Sequence, residues 1–388
     1  MQSSIRDVMP APPRLHVEAA AGSAFELLVG LYAAMSPERA HRPSWVPPRG
    51  EWSDALRDAV SAVGERSGEA WLHLLGLALE LQYDDAASFV DAVSRVSPRE
   101  LRRHVVGAYV PAWVGMVGAE TLERGAAGDE AAIGTLLAHP RYYAGRADES
   151  LGALLPLSAR ETKARLLGAL ERFAEEAFAP QEDEVVGRLR AAAERTRELS
   201  RTLAPEAVIE QVTAGYVYEP EPELDRVLLV PHLAARPALL LCQHRTDRVI
   251  CHPVADEHAE PEEALVERAV AVGRALGDER RVQMLRHLAV REATLDELAV
   301  TTGLARSTAH HHLAQLRAAG LVSLRGNARG YWFELRRDGL ADALGALGDL
   351  ARAPSELPRR RRSRRRARPP REMKAGGGAA GSTSSDTE

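Results

Sequence analysis

Up to Leu203 the apolar positions recur mostly at helical spacing, and then the period shortens. Helices are predicted over Ala24 to Met35, Ser53 to Val63, Gly68 to Leu81, Asp84 to Arg95, Pro98 to Val110, Asp129 to Leu137, Ser158 to Ala177 and Gln181 to Leu203. A short strand over Arg14 to Glu18 precedes them, and a Pro-rich loop from Arg42 to Arg49 interrupts them. Four short β-rich segments follow, Ala214 to Tyr218, Arg226 to Val230, Ala238 to Gln243 and Arg248 to His252, separated by Pro or polar turns. Their spacing predicts a small antiparallel meander. A linker through Pro253 to His258 then leads to a helix over Glu262 to Leu276.

Beyond Leu276 the pattern changes three times within sixty-odd residues. Val282, Leu285 and Leu288 lie at helical spacing behind the acids Asp278 and Glu279, which favour a helix start through its dipole. Thr294 and Glu297 have the spacing of a capping box, and Gly303 supplies the left-handed residue that ends the helix they begin. A further helix runs from about Arg306 to Ala319, with Ala309, Leu313 and Leu316 as its inward stripe and Gly320 as its stop. Leu321 to Arg325 and Tyr331 to Arg336 alternate around Gly326-Asn327-Ala328-Arg329-Gly330, which reads as a hairpin. Helix, turn, helix and hairpin in this order describe a winged helix-turn-helix, a DNA-binding motif.

At these residues the chain resembles the ArsR-type winged-helix regulators, through the strings ALGDERRVQMLRHL and TLDELAVTTGLARSTAHHHLAQLRAAGLV and the short wing. The resemblance implies a dimeric repressor or activator. One departure is Ala305, where the family commonly has Ser, a side-chain cap usually worth about 1 kcal/mol. Another concerns metals: the resembled sensors place cysteines on the helix before the recognition helix, or acid and histidine pairs on the last one. Here Thr294 to Thr302 has no cysteine and Asp338 to Ala351 has no histidine. The segments Tyr216 to Pro222 and Arg248 to Glu257 resemble a domain that precedes such modules in some actinobacterial regulators, with no assigned role.

The residues themselves nominate the contacts. Arg306, Ser307, His310, His311 and Gln315 occupy the outer face of the second helix, where such side chains reach base edges or phosphate in the major groove. Thr308, Arg325 and Arg329 are assigned to phosphates. His312 is placed at the core edge, because consecutive helical residues splay apart and the three histidines do not close a tetrahedral metal site. No cofactor and no metal are expected.

At 388 residues the chain exceeds one ordinary domain. The expected division is an N-terminal effector or interaction domain over 1–258, the winged helix over 259–353 and a tail over 354–388. The fold class is α+β, mainly α. The formal net charge is −5, yet nine arginines and no acid fall between Arg359 and Arg371. Such a block repels itself and buries nothing, so a disordered basic tail is expected, either idle or gripping phosphates without sequence preference. The first residues lack the apolar core of a secretory signal, and no run is long and apolar enough to span a membrane, so a cytoplasmic protein is expected.

Dinucleotide, Walker, G-x-S-x-G and H-E-x-x-H signatures are absent, and the adjacent acids Asp84-Asp85 and Glu175-Glu176 diverge on a helix, so no enzyme is expected. Cys242 and Cys251 flank a turn centred near Thr246-Asp247, which would set them opposite one another. They read either as buried hydrophobes or as a redox or metal pair with His244 or His252. Two stripes, Ala264, Leu265, Ala269 and Val272, and Leu340, Leu344, Leu347 and Leu350, lie on helices that pair two subunits in the resembled family, so a homodimer is expected; the alternative packs both stripes onto the chain's own N-terminal domain. The functional expectation is a sequence-specific regulator of double-stranded DNA with a small-molecule effector on its N-terminal domain. The alternative is a protein-interaction or architectural module whose basic tail supplies nucleic-acid affinity.

Overall fold

Short polar side chains start many of the helices. Ser53, Asp85, Ser97, Asp129 and Ser158 each sit at an N-cap and accept a hydrogen bond from a first-turn amide, satisfying one donor that has no partner within the helix. In this computed structural model the described residues are 15–36, 45–221, 223–254, 261–327 and 330–352. One compact unit spans Met1–Ala351 and a second Arg352–Glu388, so the expected basic tail lies outside the described residues.

The N-terminal helices arise where the apolar spacing places them, with three differences. The stretch from Gly68 to Leu81 is two helices, Gly68–His73 and Leu75–Leu81, meeting at Leu74. Pro98–Val105 stops early, and Pro111–Val117 and Ala119–Ala127 follow it. A helix over Pro205–Val212 forms where no element was predicted, with Pro in its first turn, where a missing N–H costs nothing. Helix Ser23–Ala34 is the axis of this region. Leu27, Leu28 and Leu31 are fully buried against a core that includes Trp71, Phe173 and Phe178.

The β-segments form strands, but not a meander. Strands β1 (Val17–Ala19), β3 (Arg226–His232), β4 (Leu240–His244) and β5 (Asp247–Pro253) make one sheet in the order β1-β3-β5-β4, in which β1–β3 and β3–β5 are parallel and only β4–β5 is a hairpin. The strand β2 (Tyr216–Tyr218) lies outside this sheet and pairs in parallel with β6 (Val322–Asn327), which pairs antiparallel with β7 (Gly330–Leu335). The reason is burial on both faces. Along β3, Leu228 and Val230 face the core built on helix Ser23–Ala34, while Val227 and Leu229 face a second core. A strand buried on both sides is a continuous apolar run, as parallel sheets require, where a half-solvated meander would alternate.

That second core joins regions expected to be separate domains. It gathers Ile209, Tyr216, Val227 and Ile250 with Val272, Met284, Leu298, Leu313 and Phe333. The expected boundary at 258 is therefore crossed by a sheet and by a core. Next to β2, Arg248 meets Glu221 at 2.7 Å with both side chains almost fully buried, and Tyr218 donates to the same carboxylate. Such a pair fixes geometry, because removing one partner would strand the other charge.

Candidate nucleic-acid interface

The helix-turn-helix is built from local rules visible in the sequence. Asp278 caps helix Glu279–Leu288, whose inward residues are Met284 and Leu288; Val282, expected in that stripe, is 46% exposed. A one-residue change of phase on a helix turns a side chain by about 100°, enough to separate core from surface. Thr294 and Glu297 close the capping box at the start of Leu295–Thr302. The Glu297 carboxyl is held down to about 2 by the Thr294 amide first and by Arg291 next. Gly303 ends that helix at φ 65°, and Ala305 begins the next in extended conformation with no side-chain cap.

Helix Arg306–Ala318 buries Ala309, Leu313 and Leu316 completely. Ala299, 7% exposed, is small where the preceding helix crosses it. Arg306, Ser307 and Thr308 are exposed at its first turn, and His310, His311 and Gln315 are half-buried. Arg306 reaches back to Asp296, Nε to Oδ1 3.1 Å, and His311 Nε2 lies 2.7 Å from Gln315 Nε2. His312 turns inward, 3.1 Å from Arg281 Nη1 and 3.7 Å from Asp278, and burial holds its pKa below the ordinary value.

The wing rests on β6 and β7, whose last pair is Asn327 with Gly330. Gly326 has φ 128°, and a Cβ there would lie 2.1 Å from the Gly330 carbonyl oxygen, so only glycine fits. Arg325 is exposed beside the wing and pairs with Glu334 at 2.9 Å. Arg329, expected at the wing tip, lies outside the described residues. Of the sequence-nominated contacts, the structure therefore brings Arg306, Ser307 and Thr308 to one exposed helix end, with Arg325 on the wing. The acids that hold Arg306 and Arg325 were not foreseen. Asp296 lies between the capping-box residues with no sequence signal of its own, and nothing local marks Glu334 as a cross-strand partner.

Geometry bears next on the cysteines and the apolar stripes. The β4–β5 hairpin turns through Arg245 and Thr246, one residue earlier than expected, so Cys242 faces Val249 and Cys251 faces Leu240. Both thiols are free, Cys251 buried in the core and Cys242 half-buried against it, and burial raises the pKa of each. Among the described residues no group of His, Cys, Asp and Glu is arranged to hold a metal ion, and no helix is long and apolar enough to cross a membrane. Of the two apolar stripes, Ala269 and Val272 face the chain's own core, Leu340 and Leu347 are half-buried against it and Leu344 is exposed, as are Val266 and Val270, which lie outside the first stripe. Arg268 lies 3.7 Å from Asp342, so these exposed residues stand on neighbouring helices, Pro261–Leu276 and Arg337–Arg352.

Residues 278–323 match the family model of the bacterial regulatory protein, arsR family. Among solved structures, similarity is found to the homodimeric winged helix-turn-helix DNA-binding domain of a possible ArsR-family transcriptional regulator from Mycobacterium bovis, at 26% identity over 25% of this chain and 91% of that one, with a TM-score of 0.21. NolR from Sinorhizobium fredii is 29% identical over 26% of this chain and 95% of its own, with a TM-score of 0.20. No curated protein matches.

Proposed function

Starting from an arsR-type module at residues 278–323, we propose that this chain is a sequence-specific, DNA-binding transcriptional regulator that works without catalysis of its own, in the cytoplasm. The observation that carries the reading is the exposed first turn of helix Arg306–Ala318. Arg306, Ser307 and Thr308 project from it beside a glycine-shaped wing, on a rod fixed from below by Leu313 and Leu316. A helix end held this way enters the major groove, with guanidinium and hydroxyl groups directed at base edges and phosphates.

The regulator acts as a homodimer in this reading. Val266 and Val270, with Leu344 of the second stripe, form the pairing face in place of Ala269 and Val272, which are buried in the chain's own core. A two-fold dimer of winged helices reads an inverted repeat with half-sites about 34 Å apart. The run from Arg359 to Arg371 favours a second reading, an architectural protein that grips phosphates through its tail.

Footprinting on the protein's own upstream region, together with genome-wide mapping of bound sites, separates the two. The regulator protects a discrete site, and Arg306→Ala with His311→Ala abolishes that protection while deletion of 354–388 only weakens it. Loss of all binding on deleting the tail, with none lost in the helix double variant, would leave the architectural reading standing instead.

A further inference from the structure

A cavity of about 660 Å³ opens where the recognition helix meets the N-terminal part of the chain. Its walls come from helix Glu182–Ser200, helix Pro205–Val212, the end of β5, and Arg317 with Ala318 from the recognition helix itself. That volume suits a small organic ligand. Most of the lining is apolar, including Ala192, Leu199 and Val212, but the polar groups among it are unusual.

Arg317 is 4% exposed, and among the described residues no carboxylate pairs with it. Its Nη1 donates to the Thr213 carbonyl at 2.8 Å and its Nη2 to the Pro237 carbonyl at 3.1 Å. Two of five N–H donors are thus accounted for, and the positive charge has dipoles for company but no anion. A buried cation in this condition is costly, which is why such groups are nearly always ion-paired. Burial alone lowers its pKa to about 10, so it remains charged at neutral pH.

Two further polar groups stand in the lining. Arg236 is 9% exposed, and its charge is felt at the Glu26 carboxyl and, with that of Arg317, at His232. His252 is 4% exposed, and both of its ring nitrogens are buried without a well-formed hydrogen bond, although the neighbouring Pro253 backbone favours its proton slightly. Of the carboxylates, the lining includes Glu198 alone, and it is exposed; half-exposed Arg195 is a third lining arginine.

We propose that this cavity is an effector site for an organic anion, a carboxylate carried on an apolar body. The carboxylate sits between Arg317, Arg236 and His252, and the body lies against Leu199 and Val212. A guanidinium offers carboxylate a planar fork of donors, and the apolar walls favour an organic acid over inorganic phosphate. Arg317 lies eleven residues beyond Arg306 on the same helix, about 16 Å along its axis. An anion that draws Arg317 away from the Thr213 and Pro237 carbonyls changes how the DNA-reading helix is anchored, which couples ligand to DNA. The regulatory half of this inference rests on the DNA-binding reading; the site itself does not.

The test uses the full chain, with hexanoate, its neutral analogue hexanamide, and inorganic phosphate as titrants in calorimetry, first without DNA. Hexanoate binds, hexanamide does not, and phosphate binds more weakly. Arg317→Met lowers the hexanoate affinity at least about tenfold. Because Arg317→Met removes a buried bond network, its fold is checked by circular dichroism, and Leu199→Trp, which fills the cavity from the opposite wall, gives the same loss with every arginine intact. Absence of hexanoate binding, equal binding of hexanamide, or phosphate binding as tight as hexanoate overturns the site. Saturating hexanoate then shifts duplex affinity severalfold; an unchanged affinity overturns the effector role. A chain that binds hexanoate but no duplex refutes the DNA-binding reading and leaves the anion site in place.

Discussion

Replacing Arg306 by alanine separates a DNA contact from a structural one. In the free protein its guanidinium pairs with Asp296 at 3.1 Å, with side chains 60% and 70% exposed. A pair this exposed contributes about 0–1 kcal/mol to folding, so Arg306→Ala leaves the melting profile nearly unchanged. In the major groove the same side chain, bidentate on guanine, is worth about 1–3 kcal/mol, a loss of roughly 5- to 150-fold in affinity. If it holds a phosphate instead, the slope of log K against log salt falls by about 0.9 and the loss is uniform across sequences. Asp296 works in the opposite direction, since it competes with DNA for the guanidinium and repels phosphate. Asp296→Asn therefore tightens duplex binding a fewfold, and the share acting through Arg306 vanishes in the double variant. The assay is fluorescence anisotropy with a duplex selected from a random library, at several salt concentrations, beside circular dichroism melts. An Arg306→Ala chain that binds within twofold of wild type at every salt concentration would refute the outward-facing contact.

Two other perturbations probe the fold that holds the helix. Burial depresses the ring pKa of His73 and His232 to about 3 and of His252 to about 4, from 6.5. The unfolded chain then binds more protons below 6.5, so stability falls on acidification toward those values. Together the three rings cost about 4 kcal/mol between about pH 7.5 and 5.5. Glu26 opposes them: burial raises it to about 7, so acidification over the same interval returns about 2 kcal/mol, and stability still falls. Urea titrations at the two pH values check this, and a constant or higher midpoint in acid contradicts it. Ala305→Ser supplies the missing cap of the recognition helix, whose N-cap backbone is already extended, and stabilises by about 1 kcal/mol, a rise in Tm of about 2 °C; an unchanged or lower Tm would show that the cap geometry is wrong.

The parts of the interface legible in sequence are those set by neighbours within a few positions. The Thr294–Glu297 box, the turn at Gly303, the inward stripe Ala309, Leu313 and Leu316, and the glycines bracketing the wing each follow from hydrogen bonds or sterics that close within one or two turns of chain. The same rules located the helix Ser23–Ala34 and the β-segments. They misplaced Val282 and the β4–β5 turn by small amounts, because a one-residue slip of register changes which face a side chain takes while leaving the pattern almost equally good.

What tertiary structure decided is which distant segments meet. The apolar runs of β3 and β5 were visible as strands, but their parallel pairing required layers on both faces, supplied by helices far away in sequence. Likewise β2 reads as one more short strand until β6 arrives from more than a hundred residues later to accept it. Arg317 shows the limit most plainly. In sequence it is one of two arginines on an amphipathic helix, and only the approach of the Thr213 and Pro237 carbonyls makes it a buried cation at the wall of a cavity. Local chemistry determined that a helix-turn-helix exists and which residues its second helix shows. What that helix is anchored to depended on long-range burial, because desolvation belongs to the assembled neighbourhood and no short window of sequence contains it.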